Sequence, residues 1–491
     1  MKHVQRAGLA SVLALVVSAG MAAGQWSDDP AANLALADGS GAQVQAKIAS
    51  TADGGFYVSW YDDGTGGFDV TLQRLDASGV EQWAHGGVLV KDRGFSSTQD
   101  YGLGIDTAGN ALLAFRDDSG ANVEITAAKV DPTGSLVWGA AGIQVSASSG
   151  AFVAAPKVVG TTDGNLVVAW TQDADLKLQK LDPSGSPLWG SGVTVSPSAG
   201  SFSVSDLRAS DGGTVIVSFT HLTGSFPSPI HLKAQKLASA DGALLWGASH
   251  VAVYDVMGGS LQIGNFPTFE SDGAGGAVFA WYTSSPSLQC RVQRILANGA
   301  EAFSHQGVEL STNGTRLRVS PDAAWNAATE EIYAFWTETN GNQSLFGLYG
   351  QKVDSTGARQ WTDDGKELVA LGSEQITNVR TVLLDSEPVV AWARSVAFDN
   401  QPIAASRLDG AGDFVWTPAV TDLATSATGT SRLAAAVSTA GFAAYAWQDG
   451  DSGTADILAQ NLKPDGTLGA VGLFSDGFES GDTSAWSATM P

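Results

Sequence analysis

Apolar residues recur along this chain in short runs, and turns rich in Asp and Gly separate one run from the next. The clearest stretch contains four such runs, at 157–160, 166–170, 176–181 and 192–195. Runs of about five residues, rich in Val and aromatic residues and bounded by Asp-Gly or Asp-x-x-Gly, are typical of antiparallel strands joined by hairpins. The pattern therefore predicts a four-stranded antiparallel sheet for this stretch.

The four-run unit repeats, and a short phrase, Asp-x-x-Gly followed by an aromatic residue, marks its copies. The aromatic residues of this register are Trp26, Trp83, Trp138, Trp189, Trp246, Phe303, Trp361 and Trp416. They lie 51 to 58 residues apart, and a period near fifty is typical of propellers, whereas immunoglobulin-like units need about a hundred residues each. We therefore expect an all-β fold, a single β-propeller of eight four-stranded blades, with seven blades and an irregular unit as the alternative.

Two further positions repeat with the same period. The second strand of each unit ends in an aromatic residue: Trp60, Phe115, Trp170, Phe219, Trp281, Trp336, Trp392 and Trp447. The third strand carries Arg74, Lys129, Lys180, Lys236, Arg294, Lys352 and Arg407, with Asn461 in the eighth copy. We expect the rings to fill the gaps between neighbouring blades. The basic residues should form repeated structural salt bridges or hydrogen bonds rather than a ring of catalytic cations.

Both ends of the repeat are incomplete. The last unit has no tryptophan phrase after its third strand, and the segment from Trp26 to Leu36 resembles the end of a unit that has no beginning. Joining the two segments predicts an eighth blade built from both ends of the chain, which hides edge strands that would otherwise invite aggregation. The alternative is that residues 470–474 supply the last strand.

The first residues have the composition of a secretory signal peptide. Lys2 and Arg6 precede an apolar run at 9–17, and small residues follow as far as Gly24. We expect a signal peptide at 1–24, the propeller at 25–470 and a C-terminal tail at 471–491. The apolar run is too short for a stable membrane span, and no later stretch is long enough for one. The protein is therefore expected to be exported, either secreted, periplasmic or at the cell surface.

The composition limits the partners. The net charge of −24 repels nucleic acid and anionic membranes and favours cations or basic partners, although acidity also serves solubility. The single cysteine, Cys290, cannot form a disulfide within the chain, so a large core must supply the stability. We expect a monomer.

The last unit resembles the blade repeats of secreted bacterial β-propeller proteins. The resemblance is carried by Trp447-Gln-Asp449 followed by Asp456-Ile-Leu-Ala-Gln460. The blades are also similar to PQQ-type and Asp-box blades, with different spacing in the turn. Residues 474–486 resemble a short C-terminal signature of secreted bacterial proteins, which implies a sorting or processing segment; a disordered tail is the alternative. These resemblances imply the fold and carry little information on function.

Aspartates are concentrated in the loops between the second and third strands of blades 8, 1, 2 and 3, which are consecutive in a closed ring. This acidic arc consists of Asp449, Asp451, Asp456, Asp62, Asp63, Asp69, Asp117, Asp118, Asp173 and Asp175. Clustered carboxylates suit calcium, the one cofactor that the sequence suggests. The predicted ligands are Asp449, Asp451, Asp456, Asp62, Asp63, Asp117 and Asp118. The alternative is that these residues make Asx-turns at hairpin ends.

The loops that vary most between units join the second to the third strand and one blade to the next, and in a propeller they share one face. We call it the variable face, and we expect any ligand there. No recognised nucleophile, zinc or phosphate-loop motif is present. The sequence favours an exported binding or scaffold module for a protein or glycan ligand over an enzyme. The alternatives are a carbohydrate-active enzyme (glycoside hydrolase or lyase) using carboxylates on that face, and a structural or adhesive surface protein.

Overall fold

The computed structural model describes residues 25–95, 98–397, 400–451 and 453–471, which form antiparallel strands and one 3₁₀ turn, Asp211–Gly213. The strands are β1 (Leu34–Ala37), β2 (Gln43–Ser50), β3 (Phe56–Asp62), β4 (Asp69–Leu75), β5 (Val88–Lys91), β6 (Gly102–Ile105), β7 (Ala111–Asp117), β8 (Glu124–Val130), β9 (Ile143–Gln144), β10 (Val153–Gly160), β11 (Leu166–Gln172), β12 (Asp175–Leu181), β13 (Val193–Val195), β14 (Ser201–Ala209), β15 (Val215–Leu222), β16 (Ile230–Leu237), β17 (Val251–Tyr254), β18 (Ser260–Leu261), β19 (Phe269–Ser271), β20 (Ala277–Ser285), β21 (Gln289–Ile295), β22 (Val308–Glu309), β23 (Arg316–Asn326), β24 (Glu331–Asn340), β25 (Phe346–Val353), β26 (Lys366–Gly372), β27 (Gln375–Leu384), β28 (Glu387–Ser395), β29 (Ile403–Arg407), β30 (Thr421–Ala424), β31 (Ser431–Val437), β32 (Ala443–Asp449) and β33 (Asp456–Leu462).

These strands form an eight-bladed β-propeller, which confirms the predicted fold class rather than the seven-blade alternative. Blades 1 to 4 take four strands each from β2 to β17, blade 5 is built from β18 to β22, and blades 6 and 7 take β23 to β30. Blade 8 has the order β31-β32-β33-β1. The first strand of each blade lies next to the axis, and its neighbours are the first strands of the adjacent blades.

Strand β1 closes the ring as the outermost strand of blade 8. Leu34 pairs with Ala459 on β33, and the side-chain nitrogen of Asn33 donates to the carbonyl of Leu423 at 2.8 Å. The prediction of an eighth blade made from both ends is confirmed. The predicted signal peptide and nearly all of the predicted tail lie outside the described residues. No helix in the described ranges is long and apolar enough to cross a membrane.

The repeated phrase joins each blade to the next. Trp416 of blade 7 donates its indole N–H to the carbonyl of Pro464 in the blade 8 turn at 2.9 Å. The ring lies over Gly466, where a Cβ would meet it at 2.9 Å, and Gly466 has a φ of +85°. Trp26 makes the corresponding bond to the carbonyl of Ala77 at 3.0 Å and so joins blade 8 to blade 1. Glycine at this position of the turn is therefore favoured for two reasons: its positive φ, and the lack of space for a Cβ beside the indole.

The other repeated registers are structural, as predicted. The second-strand aromatics are at most 5% exposed, and eight apolar clusters lie between successive blades. Each basic residue of the third strand pairs with an acidic residue of its own blade; Lys129 contacts Asp106 at 2.7 Å, for example. In blade 8, Asn461 bonds instead to the main chain of Gly469. The third-strand residues thus brace the turns between first and second strands.

The inner strands depart from regular pairing. A one-residue β-bulge interrupts the pairing of the first strand in blades 1, 3, 4, 6, 7 and 8. Five bulge residues have positive φ although none is glycine: Gln45, Ala155, Ser320, Asn378 and Arg432. Non-glycine residues rarely adopt this conformation, and bulges of this kind re-aim side chains, commonly beside functional sites. The inner strands, which surround the central axis of the ring, are therefore candidate positions for a functional site.

Candidate functional site

A cavity of about 870 Å³ lies on the axis, against the inner strands of blades 4 to 8. Its charged lining residues are Arg208, Glu270, Asp322, Arg380 and Arg432. Four of them come from bulged first strands, namely β14, β23, β27 and β31, and Glu270 comes from β19. Cavities of a few hundred to a thousand cubic ångströms are the usual size for small-molecule sites.

Blade 5 shapes one wall of this cavity because its inner strand is divided. Residues 262–268 separate β18 from β19, and all of them except the first line the cavity. Among them, Phe266 is 49% exposed. An exposed aromatic ring at the edge of a polar cavity provides an apolar surface next to hydrogen-bonding groups.

Two carboxylates in the cavity have raised pKa values. Burial, together with the charge of Asp322, raises the pKa of Glu270 to about 7, against the main-chain N–H of Trp325 and the guanidinium of Arg208. Burial also raises the pKa of Asp322, against Arg380 and the main-chain N–H of Thr381, which donates to it at 2.6 Å. A carboxyl group that titrates near neutral pH can both donate and accept a proton there.

Arg208 and Arg380 use only part of their hydrogen-bonding capacity within the protein. Arg208 donates from Nε to Asp206 at 3.0 Å and to the carbonyl of Phe269 at 3.1 Å. Arg380 donates from Nη1 to the carbonyl of Val379 at 2.7 Å. The remaining guanidinium nitrogens of both residues have no hydrogen-bond partner among the described residues. They are available to a ligand.

The other half of the channel carries a closed charge network. Asp100 of blade 2 contacts Lys47 of blade 1 at 2.7 Å and also pairs with Lys157 of blade 3. The two lysines hold the pKa of Asp100 well below its usual range, although burial opposes them. Burial lowers the pKa of Lys47, against the charges of Asp100 and, more weakly, Asp206 of blade 4.

The predicted calcium ligands on blades 8 and 1 lie mostly at hairpin ends. Asp63 accepts a bond from the main-chain N–H of Ala42, and Asp62 from that of Gly64 at 2.9 Å. Asp449 accepts from Thr428 N–H at 2.7 Å and is the cross-strand partner of Asp456. Burial and the charges of Asp38 and Asp449 raise the pKa of Asp456. Asp451 is exposed, and its carbonyl accepts from Thr454 N–H at 3.0 Å.

The predicted ligands on blade 2 have protein partners as well. Asp117 is 5% exposed and pairs with Lys91 at 3.0 Å, while Asp118 accepts from Gly94 N–H at 3.0 Å. Among the described residues no group of three or more His, Cys, Asp or Glu side chains is arranged to hold a metal ion. Seven of the ten acids of the acidic arc thus accept a main-chain N–H with a side-chain oxygen, and two of them, Asp62 and Asp117, do so within their own turn. Calcium binding stays a prediction.

The sequence pattern placed candidate chemistry in the loops and therefore did not predict the cavity residues. A signal was present: Arg208, Asp322 and Arg380 come shortly before the apolar runs of the second strands, where the innermost strand of each unit is expected. Charged residues within a strand that packs on both faces are uncommon, so such positions indicate a solvent-filled channel or a site.

The fold and cavity define this chain as an eight-bladed β-propeller with a polar axial cavity. No protein-family model and no curated protein matches it. Among solved structures it is similar to a polysaccharide lyase described as an ulvan lyase, at 12% identity, with a TM-score of 0.44 and coverage of 81% of this chain and 97% of the lyase. The polysaccharide lyase Uly1 is 10% identical, with a TM-score of 0.43 and coverage of 91% and 93%. An α-L-arabinofuranosidase from Clostridium thermocellum is 14% identical, with a TM-score of 0.32 and coverage of 52% and 92%. Similarity at this level carries no argument about what this chain binds.

Proposed function

We propose that this protein is an exported ligand-binding β-propeller that takes a polar ligand, the size of a short oligosaccharide, into its axial cavity. The observation that carries the proposal is the cavity itself, about 870 Å³ in volume and lined by charged side chains from five successive blades. The proposed ligand site lies deeper than the variable loops, on the inner strands that begin at those loops.

The lining favours a ligand with many hydroxyl or charged groups. Guanidinium and carboxyl groups are costly to desolvate unless the ligand replaces their bonds to water. The exposed ring of Phe266 complements them, because one face of a sugar ring is apolar and packs on aromatic side chains. An exported protein meets glycans outside the cytoplasm, which agrees with the predicted signal peptide.

The test is a binding screen with a variant that fills the cavity. Ala434 lines the cavity, so Ala434→Phe should abolish binding of any glycan retained by the unmodified protein on an array or in calorimetry. Ala108→Phe, on an exposed turn between the first and second strands of blade 2, is the matched control and should bind normally. If no glycan binds, or if Ala434→Phe binds as well as the control, the proposal is wrong.

A second candidate, a carbohydrate-active enzyme, is favoured by one specific observation. Glu270, with a pKa of about 7, lies close enough to Asp322 for the two charges to interact in the same cavity. Glycoside hydrolysis needs two carboxyl groups, one protonated and one ionised. Glu270 would protonate the leaving oxygen, and Asp322, once ionised, would take a proton from the attacking water.

Activity assays separate the two candidates. An enzyme should release reducing ends, or the unsaturated ends that a lyase produces, from a glycan that it binds. Glu270→Gln should lower that rate by about a hundredfold or more while leaving binding intact. A glycan that is bound and recovered uncleaved would favour the binding protein.

A further inference from the structure

We infer that the axial cavity contains an anion-binding subsite formed by Arg208, Arg380 and Arg432, so that the ligand carries a carboxylate or a sulfate ester. This inference rests on the proposed function, because it specifies the chemical class of the ligand in the same cavity.

The first argument is the unused hydrogen-bonding capacity of these arginines. Within the described residues, Nη1 and Nη2 of Arg208 have no partner, nor have Nε and Nη2 of Arg380, and the whole guanidinium of Arg432 makes no hydrogen bond to the protein. A guanidinium presents paired N–H donors that match the two oxygens of a carboxylate or sulfate. Three such groups around one cavity therefore provide donors for the anionic groups of a ligand.

The second argument is the contrast with the arginines of the repeated third-strand register. Arg74, Arg294 and Arg407, in the repeated third-strand register, are each held by carboxylates of the protein. The side chain of Arg208, by comparison, is 48% exposed and bound to a carboxylate only through Nε. In a chain with a net charge of −24, acidic partners are plentiful, so incompletely paired arginines at one cavity are informative.

The third argument is the backbone at the bulge. Ser320, Asn378 and Arg432 occupy equivalent bulge positions on blades 6, 7 and 8, all have positive φ, and all line the cavity. Such conformations are unfavourable for non-glycine residues and cluster at ligand sites, where they direct a side chain. The bulges of three successive blades therefore present Ser320, Asn378 and the exposed side chain of Arg432 to the same cavity.

The carboxylates of the cavity offset only part of the positive charge of these arginines. Asp322 interacts with the charges of Arg380 and Arg208, but its hydrogen bond comes from the main-chain N–H of Thr381 and not from either guanidinium. Asp206 occupies Nε of Arg208 and leaves its other two nitrogens. Glu270 is largely protonated below its pKa of about 7 and then adds no negative charge. Lys47 and Lys157 in the other half of the channel outnumber Asp100, which lies between them.

The experiment compares oligosaccharides that differ only in charge. Calorimetry would measure binding of oligogalacturonate and of its neutral methyl ester, and of a sulfated oligosaccharide and its desulfated form. We expect an anionic form to bind at least tenfold more tightly than its neutral partner. The pair that shows the difference identifies the ligand group as a carboxylate or a sulfate.

The variants connect that difference to the arginines. Arg432→Gln and Arg380→Gln should each reduce the anionic-to-neutral ratio severalfold, and Arg432→Lys should retain part of it. Arg359→Gln, on a turn of the opposite face, is the matched control and should leave the ratio unchanged. Melting temperatures would verify that each variant is folded.

The outcomes separate this inference from the proposed function. If neutral and anionic forms bind equally, or if the Arg432 and Arg380 variants keep the full ratio, the subsite is wrong while the glycan-binding cavity stands. If none of the oligosaccharides binds, both are overturned.

Discussion

Glu270 differs from most acidic side chains of this chain in the effect of its surroundings. Asp106 and Asp163, in turns between first and second strands, have pKa values lowered by hydrogen bonds and by lysine partners against the effect of burial. Burial dominates at Glu270 and raises its pKa to about 7. The turns thus stabilise ionised carboxylates, and the cavity stabilises a neutral one.

Glu270 should make the stability of the protein depend on pH. Its folded pKa lies above the ordinary value of 4.5, so its contribution to stability is fully present below about pH 4.5 and is lost as the pH rises through about 7. Glu270→Gln keeps a neutral side chain, so its melting temperature should gain on that of the unmodified protein between pH 4.5 and 7 and then level off. Glu374→Gln, at an exposed position of blade 7, is the control. A difference that does not change with pH would contradict the assignment.

The sequence predicts most of the fold and little of the cavity. The spacing of the repeated aromatic residues was enough to predict eight blades, because every blade needs an aromatic ring at its boundary with the next blade. The presence of Arg208, Asp322 and Arg380 in the cavity could not be predicted from residue spacing. Which side of an inner strand faces the axis depends on a one-residue bulge, and a shift of one residue moves a side chain to the other face.

At the scale of the element, the joint between blades combines a turn, a glycine and an indole. Seven of the eight phrase residues are tryptophans that donate to a carbonyl in the turn of the following blade. Phe303 cannot donate such a bond and only packs over Gly357. Packing is therefore common to all the joints, and the hydrogen bond is an addition to it.

Two glycines of blade 8 separate backbone strain from packing. Gly466 and Gly441 have φ angles of +85° and +86°, but a Cβ on Gly466 would lie 2.9 Å from Trp416, whereas nothing lies within 4 Å of one on Gly441. Gly441→Ala should lower the free energy of unfolding by about 1 kcal/mol through backbone strain alone. Gly466→Ala should lower it by about 2 kcal/mol or more, because the indole must also move. Chemical denaturation measures both; equal losses would mean that the indole contact is unimportant.

Two histidines link neighbouring blades in a pH-dependent way. His85 of blade 1 contacts Glu81 and Asp38, and hydrogen bonds to these acids raise its pKa. His305 of blade 5 has the same arrangement with Glu301 and Asp255. A raised histidine pKa adds stability that is present below about pH 6.5 and lost as the pH rises through the folded pKa.

The histidine links can be measured by calorimetry at two pH values. His85→Gln and His305→Gln should lower the melting temperature at pH 6 and have little effect at pH 9. Burial lowers the pKa of His250 to about 4, so the folded protein keeps it neutral at both pH values, whereas in the unfolded chain it is largely protonated at pH 6. His250→Gln should therefore be less destabilising at pH 6 than at pH 9, the opposite trend to the other two variants. A pH-independent effect at His85 would rule out the charged pair.

At the scale of the whole molecule, closure depends on the contact of β1 with β33. Ala35 is the cross-strand partner of Leu458, and both are partly exposed. Paired residues on antiparallel strands have Cα atoms about 4.5–5.5 Å apart, within the range that a disulfide needs. This pair can therefore be used to lock the ring.

Ala35→Cys combined with Leu458→Cys should form a disulfide that increases the free energy of unfolding of the oxidised protein by up to about 5 kcal/mol. Its melting temperature should rise accordingly. The same protein in reducing agent is its own control, and the native Cys290 is buried and does not compete. Thiol titration shows whether the bond forms. Two free thiols under oxidising conditions would mean that β1 does not lie beside β33.

Calcium binding by the acidic arc is a property of several blades together. Millimolar calcium should raise the melting temperature if the folded ring binds it, and magnesium should do so less. Asp449→Asn should reduce the rise, because it removes one of the two facing carboxylates on β32 and β33. Identical unfolding in calcium and in EDTA would leave the arc as a set of turn caps and a source of solubility.

The two-ended construction of blade 8 also dictates an order of events during folding. Asn33 bonds to Leu423, which follows it by 390 residues, so β1 has no partner until almost the whole ring has been made. Blades 1 to 7 can each pair their strands locally and early, but the last blade must wait for the two distant ends to meet. Until then one strand edge stays open to other chains. Pairing of β1 with β33 should therefore be the slowest step of folding, and the open ring that precedes it should be the species most prone to aggregate.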